Sequence, residues 1–165
     1  MIRPVLTYPH PSLRARAYEV TRFDESVLAV ARDLVDTMRS HNRCVGLAAP
    51  QIGVSLRMIA VDVSEHPKTT ASHGLVVMVN PVVTAAAGKE VGREGCLSLS
   101  EITANVARAK RIRFEASFPD GERFESVSPG FEARAILHEI DHLDGILILD
   151  RVASPAEVFA RRTIS

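Results

Sequence analysis

Near its C-terminal end the chain runs Ile136-Leu137-His138-Glu139-Ile140-Asp141-His142-Leu143-Asp144-Gly145. Two histidines four apart, with a glutamate beside the first, are residues that can do chemistry. On a helix, positions i and i+4 lie one turn apart on one face, so His138 and His142 can hold a single metal ion between them. Glu139 then stands where it can move protons for a water that the ion activates. The helix itself is legible, because Phe131, Ala135, Leu137, Ile140 and Leu143 repeat at helical spacings and Gly145 supplies a stop. The competing reading is a pair of histidines on a solvated or salt-bridged face. A catalytic metal centre takes three protein ligands and leaves a position for water, so a third ligand must come from elsewhere.

Cysteine is the first place to look, since thiolate and imidazole together suit zinc or ferrous iron. Cys96 lies in Arg93-Glu94-Gly95-Cys96-Leu97-Ser98. This is a glycine-containing turn in which a side chain can point at a neighbouring helix and the next backbone N–H can face a ligand. Taken alone, a cysteine in such a turn packs more often than it ligates. The other cysteine is Cys44, and a disulfide between the two is not expected in a chain that reads as cytoplasmic. The start, Met1-Ile2-Arg3-Pro4-Val5-Leu6, lacks the regions of a signal peptide, and no apolar run approaches a bilayer span.

Elements must position these residues. Asp24 is placed to cap an amphipathic helix from about Ser26 to Arg39, with Val27, Ala31, Leu34, Val35 and Met38 on its apolar side. Cys44 to Gly53 reads as a small-residue loop and Leu56 to Val63 as a strand. Ser64 to Gly74 reads as a surface loop carrying solvated His66 and His73, and Leu75 to Val79 as a buried strand. From Val82 to Val127 strands dominate. Ile112 to Phe118 and Arg123 to Val127 flank Pro119-Asp120-Gly121-Glu122 as a hairpin. Ile146 to Leu149 reads as a short apolar strand, and Ser154-Pro155-Ala156-Glu157 as the capped start of a short terminal helix. No repeat or linker divides the 165 residues, which suits one domain burying roughly two-thirds of its unfolded surface. Twenty basic and twenty acidic residues cancel, so net charge argues for neither nucleic acid nor an acidic membrane as partner.

Three stretches taken together, Gly46-Leu47-Ala48-Ala49-Pro50-Gln51, Glu94-Gly95-Cys96-Leu97-Ser98 and His138-Glu139-Ile140-Asp141-His142, stand in the order and spacing of peptide deformylases, and the chain resembles that family over nearly its whole length. Asn80-Pro81, Asp144-Gly145 and Leu149-Asp150 extend the match. The resemblance implies an α+β fold, with antiparallel sheets wrapped around a central metal-binding helix, and hydrolysis of the N-formyl group from formylmethionyl peptides. It implies Cys96, His138 and His142 as metal ligands and Glu139 as general base and acid. Gln51 and the backbone N–H of Leu97 would hold the oxyanion. Gly46 would hydrogen-bond the peptide, while Val45, Arg134 and Ala135 would border the methionine pocket. Arg134 reads equally as a surface residue whose methylene stem covers the pocket edge. Asp141 and Arg108 would orient the ligand histidines and the cysteine turn, a surface ion pair being the competing reading.

The implied cofactor is one divalent ion, ferrous iron first, with zinc, nickel or cobalt as alternatives. The implied partners are the formylated peptide and, transiently, the ribosome, with neither nucleic-acid specificity nor a membrane. Cys44 stands where the family has glycine, Ser100 where it has proline, Thr103 where arginine is frequent and Leu137 where glutamine is common. The first three are expected to border the substrate groove. Other readings are a zincin-type peptidase, a structural metal module, and a deformylase paralogue with another formylated substrate. The residues after His142 offer Glu157 as their one glutamate and no histidine, which disfavours the zincin, and a structural site needs neither Glu139 nor Gln51.

Overall fold

The computed structural model describes residues 1–161. Helix α1, Glu25–Arg39, opens on Asp24, whose carboxylate accepts from the Ser26 N–H at 3.0 Å. Its stripe Val27, Ala31, Leu34 and Met38 is buried, as the spacing requires. The segment expected as a loop is more ordered than its small residues suggest: β1, Gly46–Ala48, is followed by one 3-10 turn over Ala49–Ile52. β1 pairs antiparallel with β2, Met58–Val61, Leu47 facing Ala60. All four residues of β2 are buried, because α1 packs against it as well as the second helix. A strand covered on both faces reads as continuous apolar sequence.

β3, Val76–Ala87, runs well past the expected Val79, and only its first half is buried. Its register with β6, Arg111–Ser117, shifts between Val79 and Val82. There Asn80 takes a positive φ of 53°, and its side chain bonds the Val20 N–H and C=O, both at 2.9 Å. The bulge thus ties the N-terminal segment to the sheet. β6 and β7, Arg123–Pro129, form the expected hairpin, with Ile112, Phe114 and Ala116 turned into the core. The five-stranded sheet has the order β1-β2-β3-β6-β7 and is antiparallel throughout.

A second antiparallel sheet joins β4, Glu90–Gly95, β5, Ile102–Arg108, and β8, Val158–Ala160, in the order β4-β5-β8. Helix α2, Gly130–Leu143, packs against β1, β2, β6 and β7. Ala133, Ile136 and Leu143 join Ile59, Met78 and Phe114 in one core. The expected mixture of helix and antiparallel sheet is what the chain adopts.

Two C-terminal expectations fail. Ile146–Leu149 is not a strand: Leu147 and Ile148 are buried around a 3-10 turn, Ile148–Asp150, where Ile148 meets Ala104 and Val106 of β5. Ser154–Glu157 does not start a helix. Pro155–Glu157 makes a single 3-10 turn with no side-chain cap, and the chain then pairs as β8 against β5. The edge of β5 needs a partner, and Val158 and Phe159 suit a strand, so pairing overrides the local cap signal. His66 and His73 are not simply solvated either. His66 stacks on Phe131 with centroids 4.0 Å apart, and His73 lies 2.5 Å from Glu132 Oε1 and 2.7 Å from Ser126 Oγ.

Candidate metal centre and substrate cavity

His138 and His142 project from one face of α2, their ring centroids 5.1 Å apart. Cys96 follows β4 in extended conformation and presents its sulfur to them, Sγ lying 3.3 Å from His142 Nε2. Ligand atoms of Cys96, His138 and His142 all lie within 4.8 Å of one another, and all three residues are buried. One sulfur and two imidazole nitrogens so placed form a donor set suited to zinc or ferrous iron.

The surroundings fix the ligand atoms. His138 Nδ1 is 2.8 Å from Glu94 Oε1, which leaves the other ring nitrogen for the cluster. Glu94 also receives Arg108 through two bonds of 2.9 and 3.0 Å and Arg134 at 2.7 Å. Arg108 reaches on to Asp141 at 2.5 Å, and Arg151 adds bonds of 2.8 and 3.0 Å to the same carboxylate. Burial pushes the Glu94 carboxyl up, but the bonds from His138 and Arg108 outweigh it and hold the group well below the usual carboxylate range. Cys96 follows the same logic: burial opposes the thiolate, and the adjacent His142 and His138 bring its pKa well below that of a free thiol. Cys44, without such partners, is pushed up by burial to about 12.

A cavity of 470 Å³ opens over this cluster. Cys96, His138, Glu139, Gln51, Leu97, Val45, Gly46, Arg134 and Ala135 all line it, while His142 lies behind. Glu139 is 4% exposed, and its Oε1 has no hydrogen-bond partner among the described residues. An orphaned buried carboxylate oxygen is rare enough to mark a functional position. Burial raises its pKa, offset in part by the two histidines.

Gly46 has a second reason to be glycine, since a Cβ there would lie 2.6 Å from Glu139 Oε2. Gln51 is buried in the 3-10 turn after β1. Its Oε1 accepts from the Ala48 N–H at 3.0 Å; its Nε2 donates to Ser98 Oγ at 3.1 Å and lies 3.6 Å from Cys96 Sγ. Ser98 in turn donates to the Leu6 C=O at 2.7 Å. Leu97 opens a one-turn 3-10 helix over Leu97–Leu99, so its N–H is a first-turn donor without an intrahelical partner.

Some expectations need correction. Arg134 is not a surface residue: it is 9% exposed, and its guanidinium also bonds the carbonyls of Val106 and Glu90, each at 2.8 Å. Arg108 and Asp141 form no surface ion pair, for both are buried. The carboxylate at His138 is Glu94, not Asp141, and the Glu-Gly-Cys string was its sequence signal. Of the three groove departures only Cys44 lines the cavity. Thr103 instead faces Gly95 and Phe159 within its sheet, and Ser100 follows the turn after Cys96.

A model of the polypeptide deformylase family matches residues 2–158. Peptide deformylase of Dictyoglomus thermophilum is 43% identical over 151 residues, covering 92% of this chain and 93% of the relative. The crystal structure of Thermotoga maritima peptide deformylase superposes with a TM-score of 0.85 at 37% identity, over 93% of this chain and 99% of that one. A Met-ala-ser bound crystal structure of a class I type b peptide deformylase from Acinetobacter baumannii gives 0.85 at 34% identity, over 92% of this chain and 99% of that one. Sequence and fold agree over nearly the full length, and the chain belongs to the peptide deformylases, a family of metal-dependent enzymes.

Proposed function

We infer that this chain is a metal-dependent hydrolase that removes the N-formyl group from the formylmethionyl ends of newly made polypeptides, releasing formate, and that it works as one catalytic domain. The observation that carries the reading is the convergence of Cys96, His138 and His142 within 4.8 Å beside a buried, unpartnered Glu139 oxygen. Cys96 and the two histidines are the ligands of one divalent ion, ferrous iron in the cell with zinc, nickel or cobalt as alternative occupants. On this reading α2, with the antiparallel sheets around it, is the metal-binding H-E-x-x-H helix of the fold. When bound, the ion supplies a Lewis acid and a water of lowered pKa.

Glu139 takes a proton from the attacking water and later delivers it to the leaving amine. A carboxyl whose pKa is raised by burial is suited to carrying a proton at neutral pH. The C–O bond forms first, and the formyl C–N bond breaks afterwards as Glu139 protonates the nitrogen, giving formate and a free amino terminus. Gln51 Nε2 and the Leu97 N–H donate to the formyl oxygen as it gains charge, which favours the transition state over the substrate. Gly46 meets the peptide backbone, and Val45, Ala135 and the stem of Arg134 border the methionine side chain. The Acinetobacter baumannii relative was solved with Met-ala-ser, a peptide with the amino end that deformylation leaves.

Cytoplasmic location and transient contact with the ribosome follow from the same reading; no helix among the described residues is long and apolar enough to cross a membrane. The test is anaerobic purification with metal analysis, followed by formate release from formyl-Met-Ala-Ser. One ion per chain and rapid release are expected. Full metal occupancy without formate release would overturn the reading.

A further inference from the structure

Besides the buried Arg134, four cations border the cavity over the Cys96, His138 and His142 cluster: Arg43, Lys68, Arg93 and Arg161. Among the described residues none of them has a carboxylate oxygen within 4.0 Å. The two carboxylates on the same walls are Glu94 and Glu139. Both are buried, and Glu94 is already matched by Arg108, Arg134 and His138. The mouth therefore carries positive charge that no carboxylate among the described residues pairs. Asp62 and Glu65 stand off in a neighbouring cavity, and Asp62 is paired with Arg39 at 2.8 Å.

Two of these exposed side chains, Arg93 and Arg161, are held in place. The Arg93 guanidinium lies 3.7 Å over the Phe159 ring and donates to Asn105 Oδ1 at 3.0 Å and Thr103 Oγ1 at 3.3 Å. Glu157, an acid on that side, is engaged by Asn105 Nδ2 at 2.9 Å. Arg161 is anchored by its N–H to the Glu101 C=O at 2.8 Å, and its guanidinium lies over Gly95, in the space a Cβ there would need. Arg43 holds a positive φ of 60°, a conformation that persists only where the surroundings enforce it. The field is felt locally: His66 has its pKa lowered first by burial and then by Lys68 and Arg43.

Resting on the deformylase reading, we propose that this rim recognises a carboxylate on the formylated peptide close behind the methionine, so that the enzyme favours acidic over basic substrates. The carboxylate is an Asp or Glu side chain, or the free C-terminal carboxylate of a short peptide. Gly95 adjoins Cys96, so a guanidinium over Gly95 meets the second or third residue of an extended peptide, each residue spanning about 3.3–3.6 Å. Arg161 takes this part, with Arg93 beside it over the Phe159 ring. Charges at an exposed rim select among partners and speed encounter more than they tighten binding.

The test compares formate release by the metal-loaded protein from amidated formyl-Met-Asp-Ser, formyl-Met-Ala-Ser and formyl-Met-Lys-Ser, with formyl-Met-Ala-Ser as free acid for a fourth arm. At low salt kcat/KM should be about tenfold higher for the Asp than for the Lys peptide, since several exposed pairs each contribute a few-fold. At 0.5 M salt the ratio should shrink several-fold. Gain in the Asp arm alone assigns the side chain as ligand; gain in the free-acid arm alone assigns the C-terminus. The double substitution Arg93→Gln/Arg161→Gln should bring the Asp-to-Lys ratio to about two. Calorimetric binding of unformylated, amidated Met-Asp-Ser and Met-Lys-Ser to the zinc-loaded protein reads the rim without turnover. Equal rates and equal binding across the series, or a preference that survives salt or the double substitution, would overturn the proposal. Acid-selective binding with no formate from any peptide would instead sink the deformylase reading and leave the rim standing.

Discussion

At the residue scale the proposed roles put metal binding and proton transfer on different side chains, and two substitutions exploit the separation. Glu139→Gln leaves Cys96, His138 and His142 untouched and removes the proton carrier, so metal content should hold while kcat falls about 10²–10⁴-fold. Near-normal turnover with bound metal would exclude Glu139 from the role. Gly46→Ala tests the same group from the other side. A Cβ 2.6 Å from Glu139 Oε2 and 2.9 Å from its Cγ has to displace a buried side chain, so activity should fall at constant metal content and unchanged ligand spectrum. The third substitution addresses the sulfur. Its low pKa and its place 3.3 Å from His142 Nε2 suit a thiolate ligand, so cobalt-substituted protein should show a sulfur-to-metal charge-transfer band that Cys96→Ala abolishes. An unchanged band would mean the sulfur does not ligate.

At the scale of elements, β4 and α2 are joined beneath the cavity by a buried ionic network rather than by apolar packing. Arg108 on β5 stands between Glu94 and Asp141, and both carboxylates are buried. Arg108→Ala removes the cation between them but leaves Arg134 on Glu94 and Arg151 on Asp141, so the loss should stay below the about 3–5 kcal/mol of a buried charge left wholly unpaired. Urea denaturation of the metal-loaded protein should show that loss. Asp141→Asn should be less harmful in the Arg108→Ala background than in the parent, because the two side chains share one interaction. Additive losses would show that the network is not coupled.

This network also shows where sequence reading stops. The convergence of Cys96, His138, His142, Glu139 and Gln51 is legible because local strings carry them, and α1, α2 and the β6–β7 hairpin because each has its own period and turn signals. Glu94 as the partner of His138, Ser98 as the partner of Gln51, and the burial of Arg134 arise from contacts between residues 40 to 47 positions apart. No periodicity records such contacts. The apolar run at Ile146–Leu149 and the cap-like Ser154–Glu157 misled for the same reason: what decides their shape is the neighbouring β5, not their own composition.

At the scale of the whole molecule, the N-terminal arm closes over the C-terminal end of α2. The Ala17 N–H donates to the Leu143 C=O at 2.8 Å, Arg57 reaches the same carbonyl at 2.9 Å, and Gly145, at a φ of 72°, lets the backbone of Arg14 approach where a Cβ would collide with it. Arg14 also pairs with Asp150 in the turn after the helix. Burial pushes the Asp150 carboxyl up, but the bonds from Arg14 and the Leu147 N–H bring its net pKa below the ordinary value. A carboxylate depressed in the folded state stabilises it above the unfolded pKa of about 3.9 and loses that contribution as pH falls through the folded value. Asp150→Asn should therefore lower stability at pH 7, where both folded and unfolded carboxyls are ionised in the parent. The difference should narrow from about pH 5 downward as protonation erases the advantage. With both side chains more than a third exposed, solvent screening keeps the effect at or below about 1 kcal/mol. Urea midpoints of parent and Asp150→Asn, measured from pH 7 down to pH 3, check both sign and window. A gap that stayed constant to pH 3 would assign the effect to the neutral hydrogen bonds of the turn, and a gap that widened in acid would reverse the sign of the linkage.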